Sequence, residues 1–406
     1  MHWILQIPGG LLATKYGTKL VFGVSNVVGC LMCSLMPLAS YIDFNLLIGL
    51  RVLQGLICGL AWPAMHTMTA IWIPPNERSK FVTAYLGSSV GVAVCYPVFG
   101  FIMKQTSWEN VFHFCSIVGV IWYLFWLYFV YDTPDKHPRI DPIERNYIHD
   151  TLGSSLQLKA KNEKRIIPWK AIFSSFPLWI NIIAQFGGIW GLFTLLTQAP
   201  SYFRHVHGWG IGMTGILSGL PHILRMLVAL LVSHFGDYML TSDKMTRTNV
   251  RKMGTSICCI INGLFVLALS YSGCDAVMAV IFIILATGSH GAVSTGPLSA
   301  IVDLSPNYAG IVLGIVNMVC VLPGFLSPLL VSVFTFENQS IQQWRYVFLI
   351  TATMLIVSGI LYVIFADSTR QPWNNTQKPK LECNENDQTF TQEGEKFIDS
   401  KTNEDK

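Results

Sequence analysis

Charge is what this 406-residue chain has least of: Asp, Glu, Lys and Arg make up 12% of it. That is about half the fraction of an ordinary soluble protein, and it excludes one. The net charge of +4 is small and forms no basic stripe, so no nucleic-acid partner is expected. The chain has no GxxxxGK[ST] loop, no HExxH and no GxSxG. ATP-driven pumping, zinc-protease and serine-hydrolase chemistry therefore have no anchor, and the chain reads as a non-enzyme without cofactors. Cysteines are present but sit where they pack: Cys30, Cys33, Cys58, Cys95, Cys115, Cys258, Cys259 and Cys320 all lie in apolar runs. A thiol there behaves as a small hydrophobe, so neither a disulfide framework nor a metal site is expected. The His205–His207 pair has too few further ligands around it to hold a metal. Carboxylates are missing from the middle of every apolar run.

What the chain does have is hydrocarbon. Hydrophobic residues reach 52%, with 24 Phe and 12 Trp, and they fall in runs of about the 20 residues a helix needs to cross a bilayer. Complete spans are expected near Leu20–Ser40, Phe44–Pro75, Phe81–Met103, Val111–Tyr131, Trp179–Pro200, Ile211–His234, Met253–Tyr271, Ala276–Val302, Ala309–Phe334 and Trp344–Phe365. Met1–Leu12 reads as the second half of one more, so the chain is expected to be truncated at its start. The class is an all-α polytopic membrane protein. The expected divisions are a helical bundle at 1–131, a polar connector at 132–170, a second bundle at 171–366 and a disordered tail at 367–406. Lys and Arg gather in loops 13–19, 74–80, 132–170 and 235–252 and in the tail, whereas the opposite loops carry only Lys104, Arg204 and Arg345. Positive residues stay inside, which places the connector and the C-terminus in the cytoplasm.

The stretch Phe44–Pro75 holds one full charge, Arg51. A guanidinium at membrane depth is costly, so it is expected to face a polar interior, where a cation suits an anionic passenger. Helical spacing puts Arg51, Gln54, Gly55, Cys58 and Trp62 on one face. Gln54 either contacts substrate or joins helices, and Gly55 with Gly59 allows a close helix approach. The other intramembrane charge, Arg225, lies about 21 Å along its span at 1.5 Å per residue. It either snorkels to the inner surface, forms an ion pair or contacts an anion. Asp237 is expected to open a cytoplasmic turn and Asp303 to end a span, both as gating partners of basic loop residues. With no carboxylate at mid-membrane, proton coupling would fall to His66, His222 or His290. A second cytoplasmic loop with Gly236 and Asp237 echoes Gly10–Lys19, which points to two similar halves with the substrate between them.

The turn GLLATKYGTK resembles the signature loop of the major facilitator superfamily. More narrowly, QIPGG at 6–10, RVLQG at 51–55, PPNERSK at 74–80, TPDKHPRI at 133–140, VRK at 250–252, the Gly314–Asn317 stretch GIVN and QPW at 371–373 are similar to the anion transporter family of sialin, the vesicular glutamate transporters and the type I sodium–phosphate cotransporters. The overall look is that of insect proteins described as inorganic phosphate cotransporters. The resemblance implies two six-helix bundles, here without the first helix and half of the second. It also implies a monomeric symporter of small anions in a plasma, endolysosomal or vesicular membrane, with sodium or protons as coupling ion. It places Arg51 at the family's substrate arginine and adds Trp190 and Asn317 as substrate candidates beside Gln54, while His290, His222, Asp237, Asp303 and Arg225 stand as the coupling and gating candidates read from the residues. The chain departs from the family at Cys58, Gly188 and Thr14, where relatives carry polar or charged groups. A degenerate carrier that does not transport, and a vesicular carrier of organic or amino acids, remain as alternatives.

Overall fold

The structure is a computed structural model that describes residues 2, 4–73, 87–150, 167–305, 308–336 and 338–374. PPNERSK at 74–80 and the side chains of Thr14 and His66 lie outside what is described. Among the described residues every regular element is helical. The first half comprises α1 (Gln6–Tyr16), α2 (Thr18–Ile42), α3 (Phe44–Cys58), α4 (Ala61–Trp72), α5 (Ser88–Gln105) and α6 (Trp108–Phe129). The second half comprises α7 (Phe176–His205), α8 (Ile211–Thr241), α9 (Arg247–Thr255), α10 (Asn262–Ser270), α11 (Ala276–Ser289), α12 (Pro297–Leu304), α13 (Ala309–Cys320), α14 (Pro323–Thr335) and α15 (Ile341–Phe365). Nine helical stretches among these residues are long and apolar enough to cross a membrane. The span expected at Phe81–Met103 is described only from residue 87 onward, as α5.

Several spans are interrupted. A π-helical turn, Ser256–Ile261, joins α9 to α10, and a 3-10 turn, His290–Ser294, follows α11. The apolar run expected as one helix from Phe44 to Pro75 instead breaks at Gly59. The backbone of His2 packs so closely there that a Cβ on Gly59 would overlap the His2 carbonyl oxygen. The close approach expected of another helix along Gly55 and Gly59 is instead made at Gly59 by the non-helical backbone of His2.

The internal echo is present in three dimensions. In the first half α2 packs on α6, and in the second the α9–α10 stretch packs on α15. Gly17 turns the chain from α1 into α2 at φ +89°, a conformation that glycine adopts at no steric cost. A Cβ there would sit 2.6 Å from the Asp132 carboxylate, which accepts the Lys19 backbone N–H at 2.7 Å. Lys19 Nζ donates to the Leu127 carbonyl at 2.7 Å, and Trp126 Nε1 donates to the Lys19 carbonyl at 2.9 Å. The matching tie in the second half runs from the Ser368 backbone N–H, just after α15, to Thr248 Oγ1 in α9.

The halves meet along α5 and α8, the most extensive helix pair in the molecule. Gly215 and Gly219, four apart on α8, face the backbone of α5. A Cβ on either would lie 2.7 Å from the carbonyl of Tyr96 or Ala93 respectively. Water drives no association inside a bilayer, so this close backbone contact is what dispersion forces require. Within the second half, Tyr202, Phe203, Trp344 and Phe348 form a buried cluster, with Tyr202 edge-on to Trp344 at 5.4 Å and to Phe348 at 5.1 Å. Such pairs add about 0.5–1.5 kcal/mol each beyond the area they bury.

The tail boundary needs correction. Residues 371–374 are docked against the end of α12: the Gln371 N–H donates to the Leu304 carbonyl at 3.0 Å, and Ser305 Oγ donates to Asn374 Oδ1 at 2.9 Å. The QPW motif thus belongs to the folded part. Residues 375–406 lie outside the described region.

Candidate functional site

Arg51 does not occupy the buried interior expected of it. α3 has no buried residue, because among the described residues it packs chiefly on α2 and leaves the rest of its circumference uncovered. The Arg51 guanidinium is exposed. It donates to Gln54 Oε1 at 3.2 Å and lies 5.7 Å from the centre of the Phe112 ring. It lines an open cavity of about 370 Å³ with Met36, Ser40, Ile48, Trp108 and Phe112. Gln54 faces both ways: its amide also donates to the Gly29 carbonyl at 2.8 Å and to Cys33 Sγ at 3.1 Å, joining α3 to α2. Gln54 therefore holds helices together and orients Arg51.

Trp190 and Asn317 lie in the second half. No hydrogen bond, ion pair or ring contact among the described residues joins them to Arg51. Trp190 is buried on α7, with its ring 6.1 Å from Phe186 and its indole N–H without a hydrogen-bond partner. Asn317 is half-buried on α13. One turn before it, Gly314 borders open space, since a Cβ there would meet nothing within 4 Å.

The polar centre of the molecule lies elsewhere, where α5, α7, α8, the π turn and the 3-10 turn converge. Arg225 on α8 is 9% exposed, and its Nη1 donates to Ser89 Oγ of α5 at 3.0 Å. The expectation that it snorkels to the surface is overturned. Glycines at the end of α11 and in the turn after it bring that segment close against α8: a Cβ on Gly291 would overlap the Arg225 carbonyl oxygen, and one on Gly288 would lie 2.7 Å from Leu224. His222, one turn before Arg225, stacks on Tyr96 with ring centres 6.3 Å apart. The Tyr96 hydroxyl donates to the Leu196 carbonyl of α7. His290 is 1% exposed and within electrostatic reach of both Arg225 and His222. Across from it, Gly188 leaves room: a Cβ there would be 3.8 Å from His290 Nε2 and 3.5 Å from Cys258 Sγ. Arg225, His222 and His290, which the sequence gives as separate candidates, are thus one cluster.

Asp303, near the end of α12, is paired as expected. It accepts from Arg251 Nε at 2.7 Å and lies 3.8 Å from Arg247, while Arg251 Nη1 also donates to the Thr295 carbonyl at 2.9 Å. Asp237 is not at the start of a turn, because α8 continues four residues beyond it to Thr241. Among the described residues its carboxylate has no ion pair. In the connector, Asp135 accepts from Arg145 at 2.6 Å and lies 3.0 Å from His149 Nε2. The hydrogen bond with His149, then that with Arg145, holds its carboxyl below the ordinary carboxylate value.

Sequence reasoning missed several buried polar groups. Asn181 and Gln185 on α7 and Asn262 on α10 are buried, and Asn181 Oδ1, Gln185 Oε1 and both polar atoms of Asn262 lack hydrogen-bond partners. The signal available was spacing: Asn181, Gln185 and Gly188 recur at helical intervals along one apolar run. Ser89 and Tyr96 carried no such signal.

Comparison with known proteins agrees with this architecture. Residues 2–328 match the Major Facilitator Superfamily model. The chain is 34% identical over 93% of its length to vesicular glutamate transporter 2 of Homo sapiens, and 35% identical over 91% to vesicular glutamate transporter 1 of Xenopus laevis. It spans 65% and 64% of those proteins. Among solved structures, a D-xylose–proton symporter aligns with TM-score 0.63 at 15% identity, over 90% of this chain and 85% of that one. A bacterial homologue of the human lysosomal transporter Spinster aligns with TM-score 0.61 at 13% identity, over 91% and 87%. The interrupted helices, the repeated halves meeting along α5 and α8, and a family match over most of its length establish that the chain belongs to the Major Facilitator Superfamily.

Proposed function

We propose that this protein is a secondary carrier of small anions, inorganic phosphate or organic anions, coupled to sodium or protons. One observation carries the reading. The two arginines set furthest inside the spans, Arg51 and Arg225, have no carboxylate partner among the described residues. An intramembrane cation without an acidic partner is costly unless a transient anion completes it. The names of the relatives, vesicular glutamate transporters, support an organic anion as cargo, and the two-half fold supports alternating access by rocking about the α5–α8 contact. The basic loops support a cytoplasmic connector and C-terminus, in a plasma, endolysosomal or vesicular membrane.

In this mechanism Arg51 makes a charge-assisted contact with the anion at the mouth of its cavity, held in place by Gln54. The test is labelled-anion uptake into proteoliposomes. Arg51→Ala is expected to abolish saturable uptake while leaving the protein folded and monodisperse. Uptake at the original rate in that variant would refute the role given to Arg51.

A further inference from the structure

The cluster around Arg225 holds more polar capacity than it uses. Among the described residues Arg225 Nε and His222 Nδ1 are buried without a hydrogen-bond partner, and His290, whose ring reaches the Gly188 backbone, keeps at least one ring nitrogen unserved. No ion pair among the described residues includes Arg225. Leaving a buried charge uncompensated is strongly destabilising, and buried polar groups are otherwise nearly always satisfied. Among the described residues the only side-chain partner of the guanidinium is the neutral Ser89 hydroxyl at 3.0 Å. Beside His290 the backbone of Gly188 carries no side chain, and a Cβ there would just touch Cys258 Sγ at 3.5 Å, Cys259 Sγ at 3.7 Å and His290 Nε2 at 3.8 Å.

The chemistry of the donors narrows the ligand. A guanidinium only donates, so it calls for an anion. An imidazole with one N–H offers one donor and one bare nitrogen, and that nitrogen needs a donor in return. A halide or a fully ionised sulfate only accepts and leaves the bare nitrogen unserved. A protonated oxyanion serves both: P–O⁻ accepts from Arg225, and P–OH donates to an imidazole nitrogen. We propose that Arg225, His222 and His290 form a second anion subsite, separate from Arg51, whose ligand is a protonated oxyanion of the hydrogen-phosphate type. Ser89 and Tyr96 act as positioning residues, since Ser89 anchors the guanidinium and Tyr96 stacks on His222. The subsite deepens the carrier reading above, and rests on it only for the claim that the bound anion is cargo.

The experiment is equilibrium binding of labelled inorganic phosphate to the purified full chain in the Arg51→Ala background, so that this subsite is read alone. Sulfate and chloride serve as competitors at constant ionic strength. Phosphate is expected to bind, with sulfate and chloride at least about tenfold weaker. Arg225→Met and His290→Leu are each expected to weaken it about tenfold or more, the loss of one charge-assisted hydrogen bond. Should Arg225→Met fail to fold, Arg225→Lys keeps the charge and loses the fork of donors, and the same loss is expected. Phosphate binding indifferent to these substitutions, or displaced equally well by chloride, overturns the subsite. Flux in the wild type without phosphate binding in the Arg51→Ala background overturns the subsite and leaves the carrier. Binding without flux sinks the carrier and upholds the subsite.

Discussion

Asp303→Asn tests the best-defined electrostatic contact in the molecule. Asp303 and Arg251 meet at 2.7 Å, with side chains 13% and 11% exposed, and Arg251 is also held by the Thr295 carbonyl. Removing one partner of a largely buried pair costs about 3–5 kcal/mol, because the other charge is left behind. Asparagine keeps an acceptor oxygen, so the expected loss is about 3 kcal/mol, at the lower end of that range. Arg247, at 3.8 Å and 64% exposed, is a different case, and Arg247→Ala is expected to cost about 0–1 kcal/mol. The assay is thermal or denaturant unfolding of the detergent-solubilised protein, arranged as a double-mutant cycle with Arg251→Met. The double variant should recover most of the loss of Asp303→Asn, since it leaves no orphaned charge. Equal effects from Asp303→Asn and Arg247→Ala, or additive losses in the cycle, would refute the assignment.

Two further outcomes follow from the geometry. Gly291→Ala is expected to destabilise the fold by at least about 1–3 kcal/mol, because its Cβ overlaps the Arg225 carbonyl on a neighbouring backbone. Gly314→Ala, facing open space, should leave the unfolding midpoint unchanged or slightly raised, and comparing the two midpoints checks both. The connector contact of Asp135 should depend on pH in one direction. Its carboxyl is held below the ordinary value by His149 and Arg145, so the contact is fully present above that ordinary value and is lost as pH falls through the depressed one. Limited proteolysis of the connector across acidic pH should show this loss, and Asp135→Asn should remove the dependence.

The architecture was legible where the signal is local. Runs of apolar residues placed the long helices, with ends that fall short by up to seven residues, as at the end of α8, and the Gly10–Lys19 turn marked the start of the first repeat. The interruptions were not legible. The segments Ser256–Ile261 and Ala276–Leu304 are as apolar as an unbroken helix, and hydropathy carries no information about which backbone hydrogen bonds are made. The alternatives for Arg225 could not be separated in the sequence for another reason. Its depth along the helix is compatible with snorkelling, and only the approach of Ser89, 136 residues away in sequence, together with the Gly288–Gly291 contact, decides that it stays inside. Arg51 failed in the opposite sense, because its burial depends on what covers α3 and not on α3 itself. Its bond to Gln54 was readable from the spacing of three.

The α5–α8 contact behaves mechanically like a plain bearing. Where Gly215 and Gly219 lie on the Tyr96 and Ala93 carbonyls, α8 presents no side chain to disengage. Among the described residues only two side-chain hydrogen bonds pin the halves across it, Arg225 to Ser89 and Tyr96 to the Leu196 carbonyl. Both pins belong to the cluster proposed to hold the anion, so under the carrier reading a ligand drawing on Arg225 would loosen the same joint.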